Sequence, residues 1–292
     1  MQPRLVKTAD HRRLAVQTFG DPEGRPVFLM HGTPGSRLGP IPRSTVLYNL
    51  GVHLISFDRP GYGGSDRLIG RQVAAAAVDV QTIADELGLD RFAVVGRSGG
   101  GPHALACGAL LAERVHRVAA LVSLAPWNAE GLDWYGGMAP SNDRDYRAAE
   151  RDHQRIAATM AQRARRIRDD PNTLLAGLRS ELSGTDRAVV SDAGIRRLLL
   201  SNYREAFRQN ADGWIDDVRA FTTDWGFKAQ DVTAPTWLWH GADDMFSPVD
   251  HSRWLAAHIP DATFFLEPGA AHLGSLRVMT AALKWAAADA TA

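Results

Sequence analysis

Short, predominantly apolar runs recur through the first half of the chain, at residues 26–30, 51–57, 91–95 and 118–124, each bounded by turn-forming residues. A run without polar alternation predicts a strand covered on both faces. Between these runs, apolar positions fall at helical spacing over 73–87, which stops at Gly88 as a helix C-cap would, and over 100–111. Strand and helix in alternation predict a parallel sheet joined by right-handed crossovers. Two earlier segments, 4–7 and 14–18, predict a hairpin at the sheet edge.

The rhythm stops at Pro126 and Trp127 and resumes with strand-like runs at 235–240 and 262–266. From 128 to 230 there is no strand pattern, but helical spacing over 143–168, 173–182, 192–209 and 213–221. A hundred residues of helical pattern are too many for a loop, so they predict an inserted helical cap over the strand ends. The expected class is α/β: a mostly parallel central sheet flanked by helices. Its core comprises residues 1–127 and 231–292, and its cap residues 128–230.

Composition narrows the function. The 292 residues are 45% hydrophobic and 23% charged, as expected of a soluble globular chain. Lys+Arg and Asp+Glu both number 33, so no global field draws the chain to nucleic acid or an anionic membrane. In the cap, Arg144, Arg147, Arg151, Arg155, Arg163, Arg165, Arg166 and Arg168 are interleaved with Asp143, Asp145, Glu150, Asp152, Asp169 and Asp170. That mixture predicts solvated helix faces. No apolar run approaches the roughly 20 residues of a membrane span. The first residues carry basic side chains without the apolar stretch of a secretory signal, so a cytoplasmic location is expected. The one cysteine, Cys107, falls in an Ala- and Leu-rich helical stretch and is expected to be inert core. The partner to expect is a small-molecule substrate, with a homodimer left open.

The segment Gly96-Arg97-Ser98-Gly99-Gly100 follows a predicted strand and precedes a predicted helix. Gly-x-Ser-x-Gly in that setting is a nucleophile elbow, in which a strained turn lifts the serine hydroxyl above the sheet. A serine hydroxyl is a weak nucleophile near neutral pH and needs a base, itself oriented by an acid. The fold requires them in the order serine, acid, histidine. Asp244 follows the run at 235–240, and His272 follows the run at 262–266.

Four motifs together resemble the α/β-hydrolase superfamily over nearly the whole length: His31-Gly32-Thr33-Pro34-Gly35, Asp58-Arg59-Pro60-Gly61-Tyr62-Gly63-Gly64-Ser65, the Ser98 elbow and the Asp244/His272 pair. The chain is similar to cofactor-free esterases, to haloperoxidase-like members and to proline iminopeptidases. The resemblance implies that the acid stands three residues after Gly241 and four before Pro248, which selects Asp244 over Asp243. It implies an oxyanion hole formed by the amides of Thr33 and Gly99, with the Asp58 to Ser65 loop packed beneath it. It implies acylation of Ser98 and hydrolysis of the acyl-enzyme, with His272 as base and then acid. A serine nucleophile sets the chain apart from haloalkane dehalogenases and epoxide hydrolases, which attack with a carboxylate. No cofactor is required, and no histidine pair has metal-ligand spacing, so no metal is expected.

Pockets for small molecules are mostly apolar. Trp127 and Trp134 in the cap region, with Met245, Phe246 and Leu273 beside the triad, are the expected lining. Uncharged esters or lactones with a sizeable apolar part are the expected substrates. An aminopeptidase, its substrate amine held by Glu150, Glu181 or Glu205, is the alternative enzyme, and a non-turnover ligand receptor on the same fold the alternative class.

Overall fold

The computed structural model describes residues 2–288, apart from the side chains of residues 153–155. The apolar runs lie side by side in one eight-stranded sheet: β1 Arg4–Lys7, β2 Arg13–Gly20, β3 Arg25–Met30, β4 Val52–Phe57, β5 Phe92–Arg97, β6 Val115–Leu121, β7 Thr236–Gly241 and β8 Ala262–Glu267, in the order 1-2-4-3-5-6-7-8. The pairings β1–β2 and β2–β4 are antiparallel. From β4 to β8 every pairing is parallel.

Successive strand residues point to opposite faces. In β3, Phe28 and Met30 enter one core and Val27 and Leu29 the other, so both halves of the run must be apolar. Helices α1 Ser44–Asn49, α2 Ala75–Glu86 and α3 Gly100–Leu110 follow β3, β4 and β5 as crossovers. Strand β8 is less completely covered than the strands of the first half. As the outermost strand it leaves Phe265 49% and Leu266 39% exposed.

Between β6 and β7 stand six cap helices: α4 Pro140–Arg151, α5 His153–Asp169, α6 Asn172–Leu178, α7 Gly184–Ser191, α8 Ala193–Ala206 and α9 Asp212–Phe221. The single helix expected over 143–168 is two, because Asp152 takes an extended conformation (φ −157°, ψ 95°) that breaks the ladder. The short α7 was not expected. Its eight residues open on Gly184 and Thr185, poor helix formers, and its signal is the cap Ser183, whose side chain accepts a bond from the Asp186 amide at 3.0 Å. Helices α10 Val249–His258 and α11 Ser275–Ala287 complete the core. Met279, Leu283 and Ala286 of α11 pack beneath Val27, Leu29 and Val95, while the opposite core runs from Phe28 and Val94 up into Tyr146, Met160 and Phe221 of the cap.

Candidate active site

Strand β5 ends at Arg97 and α3 begins at Gly100, leaving two residues for a sharp reversal. Ser98 sits there at φ +55°. A non-glycine residue in this left-handed region carries strain of about 1–2 kcal/mol. Its neighbours hold it in place: the Ser98 amide donates to the Leu121 carbonyl at 2.8 Å, and the Ser98 carbonyl accepts from the Gly101 amide at 2.8 Å. Glycine is required on both sides. A Cβ at Gly96 would stand 2.2 Å from the Gly100 carbonyl oxygen, and one at Gly99 would stand 2.3 Å from Thr33 Oγ1.

The parallel register sets the ends of β7 and β8 beside this turn. His272, in a short helical turn before α11, places Nε2 3.0 Å from Ser98 Oγ and donates from Nδ1 to Asp244 Oδ2 at 2.8 Å. Asp244 is 5% exposed, and its Oδ1 accepts from the amides of Phe246 (2.8 Å) and Ser247 (3.1 Å). Burial alone would raise its pKa, but His272 and His240 at its oxygens hold the carboxyl below the usual carboxylate range. His240 in turn bonds the Ser247 carbonyl at 2.6 Å and Ser252 Oγ at 2.7 Å, bracing the loop that carries Asp244. Asp243 is exposed.

Thr33 lies against Gly99. Among the described residues neither the Thr33 nor the Gly99 amide has an acceptor, so two backbone donors stand free beside Ser98. Beneath them, His31 donates from Nδ1 to the Gly32 carbonyl at 2.8 Å and accepts from the Arg59 amide at 3.1 Å. Burial and the Arg59 charge keep its pKa well down, so the ring is neutral. The Asp58 to Ser65 loop does pack here, but it is joined from above by a residue that sequence reasoning missed. Asp217 of α9 accepts from Thr33 Oγ1, Arg59 Nη2 and the Tyr62 hydroxyl on one oxygen, and from Arg71 Nη2 on the other. Its signal was available: it stands three residues after Trp214 and four before Phe221, an acid inside the apolar stripe of its helix.

Above Ser98 opens a cavity of about 460 Å3 between sheet and cap. Phe246 and Leu273 line it; Trp127, Trp134 and Met245 do not. Trp134 is buried elsewhere, its Nε1 donating to the Ala125 carbonyl at 2.9 Å and its ring packed on Tyr146 and His251. Trp127 is 41% exposed and bonded to Glu150, and Met245 is 44% exposed, on the opposite side of the loop from Phe246. Leu174, Leu178, Leu199, Trp214 and Val218 supply apolar wall from the cap. Of the cap arginines whose side chains are described, Arg144, Arg147, Arg151, Arg165, Arg166 and Arg168 are exposed, as expected of solvated faces, although Arg144 and Arg166 also border the cavity; Arg163, which lines it too, is partly buried. The side chain of Arg155 lies outside the described residues. Among the described residues no cluster of His, Cys, Asp and Glu could hold a metal, and no helix is long and apolar enough to cross a membrane.

Known proteins are similar to this chain in sequence and in fold. The chain is 28% identical over 221 residues to a pimeloyl-[acyl-carrier protein] methyl ester esterase of Nitrosomonas europaea, covering 74% of this chain and 76% of that one. Its fold is similar to that of a bromoperoxidase from Bacillus anthracis (TM-score 0.68, 20% identity, 97% and 96% of the two chains). It is equally similar to that of an esterase from Exiguobacterium antarcticum (TM-score 0.68, 19% identity, 96% and 97%). The family model of the α/β hydrolase fold matches residues 25–276, and with that match over most of its length the chain belongs to the α/β-hydrolase family.

Proposed function

We propose that the protein hydrolyses carboxylic esters or lactones of small molecules through an acyl-enzyme on Ser98. The observation that carries this reading is the unbroken relay from Ser98 Oγ to His272 Nε2 (3.0 Å) and from His272 Nδ1 to Asp244 (2.8 Å) at the foot of a cavity. As Ser98 Oγ attacks the carbonyl carbon, its proton passes to His272 Nε2, and the amides of Thr33 and Gly99 receive the developing oxyanion. His272 then protonates the leaving oxygen, and the acyl group remains on Ser98. In the second half-reaction His272 takes a proton from water, the hydroxide attacks the acyl carbon, and Ser98 recovers its proton as the acid departs. Asp244 keeps the imidazole in the tautomer that accepts at Nε2 and stabilises the imidazolium.

The aminopeptidase alternative lacks an anchor for the substrate amine. Glu150 accepts from Trp127 and Tyr135, Glu181 from Ser141, and Glu205 from Arg37, and none of the three lines the cavity. Steady-state turnover separates an enzyme from a receptor. The protein is expected to turn over short- and medium-chain esters or lactones continuously, and Ser98→Ala to lower kcat by about 10⁵–10⁶-fold. Absence of turnover across such a panel, or undiminished turnover by Ser98→Ala, would overturn the reading.

A further inference from the structure

Arg97 stands immediately before the nucleophile and lines the cavity, yet the relay makes no use of it. Its guanidinium runs beside the His272 turn, where Nε donates to Ser275 Oγ at 2.7 Å and Nη2 to the His272 carbonyl at 3.4 Å. Nη1 has no acceptor among the described residues. It faces Gly32: a Cβ built on Gly32 would lie 3.6 Å from Arg97 Nη1 and 3.6 Å from Ser98 Cβ, so the free donor and the nucleophile border the same small space.

No carboxylate among the described residues comes within ion-pair distance of Arg97. The acids that act on it from farther away are already engaged, Asp186 by the Leu273 amide at 2.8 Å and Asp244 by His272. Other buried arginines here differ. Arg37 is paired with Asp58 and Glu205, and Arg59 and Arg71 with Asp217. The contrast appears in their electrostatics: burial lowers the Arg97 pKa, whereas at Arg37 and Arg71 the carboxylates in contact outweigh burial and raise it. Tyr203, also on the cavity wall, has a hydroxyl without a partner among the described residues.

The rest of the cavity has the same sign. Arg144, Arg163 and Arg166 line it with Arg97, and the one acid among its lining residues, Asp145, is held by Arg163 at 2.6 Å. Arg144 also stands 3.5 Å from Asp145, and Arg144 and Arg166 are exposed to solvent, so among these four arginines Arg97 is the enclosed one without a carboxylate. A guanidinium left unpaired beside a nucleophile is a ready-made site for a planar anion.

We propose that Arg97 binds a carboxylate in the acyl part of the substrate, so that the preferred substrates are esters or lactones with an apolar body and an anionic group near the scissile carbonyl. This rests on the hydrolase reading and replaces the expectation of uncharged substrates. The test compares monoethyl half-esters of the dicarboxylic acids from succinate to suberate with ethyl alkanoates of equal chain length. At one or more lengths kcat/KM should favour the half-ester by about tenfold or more, chiefly through KM. Arg97→Gln should reduce that ratio by at least about tenfold, and Arg97→Lys should restore part of it. A second arm needs neither turnover nor an altered Arg97: by calorimetry, Ser98→Ala protein should bind the free dicarboxylate of the preferred length and not the corresponding diamide. Turnover that favours the neutral ester at every length, together with no dicarboxylate binding, would overturn the anion site and leave the hydrolase reading intact. No ester turnover, but dicarboxylate binding that Arg97→Gln removes, would sustain the anion site and overturn the hydrolase reading.

Discussion

At the scale of single residues, two adjacent aspartates have opposite surroundings. Asp244 is buried with both oxygens bonded, and Asp243 is exposed. Asp244→Asn can offer His272 the wrong hydrogen-bonding partner and is expected to lower kcat by about 10³–10⁴-fold, whereas Asp243→Asn should stay within about twofold of the parent. Equal losses in parallel ester assays would remove the distinction. The chain order of Ser98, Asp244 and His272 was legible in the sequence because each follows a strand at a spacing the turn chemistry enforces. Arg97 was not. It lies inside the motif that identifies Ser98, and nothing in a sequence shows whether a guanidinium has found a carboxylate.

At the scale of elements, α9 ties the cap to the loop of residues 31–35 through one side chain. Asp217 accepts from Thr33, Arg59, Tyr62 and Arg71, all of them in the core and all brought to α9 by the insertion of the cap. Two charges lose their counterion in Asp217→Asn. It should destabilise the protein by about 3–5 kcal/mol in urea denaturation, the range for breaking a buried pair. It should also lower kcat more than it raises KM, since Thr33 loses its clamp. A variant of parental stability would show that Arg59 and Arg71 are balanced by something else. The strands were legible from apolar continuity, and the cap helices from their spacing, except where backbone conformation decided. Asp152 splits the long cap helix, and α7 depends on a serine cap at the head of a weak segment. Cap–core pairings such as Asp217 with Arg59 join positions 158 residues apart and have no local signature.

At the scale of the whole molecule, buried neutral histidines couple stability to pH. His251 accepts from the Ala125 amide at 3.0 Å and donates to the Trp134 carbonyl at 3.0 Å, a pattern only the neutral ring can make, and burial pulls its pKa to about 4. Burial likewise pulls His103 to about 4. Unfolding returns each to about 6.5, so between those values the unfolded chain binds more protons and stability falls as pH falls. Each is worth on the order of 3 kcal/mol across that window. Urea midpoints should drop steadily from pH 7 to pH 4, and His251→Gln should flatten the slope; a slope unchanged in the variant would count against the assignment.

Sheet, cap and elbow together set one hydroxyl at the foot of one cavity, and the account stands on that hydroxyl being the nucleophile. The most direct measurement is intact mass after exposure to a fluorophosphonate, followed by peptide mapping. One phosphonyl adduct per chain, located on Ser98 and absent from Ser98→Ala, is the predicted result. A native protein that takes up no label, or that carries it on another residue, would contradict the account.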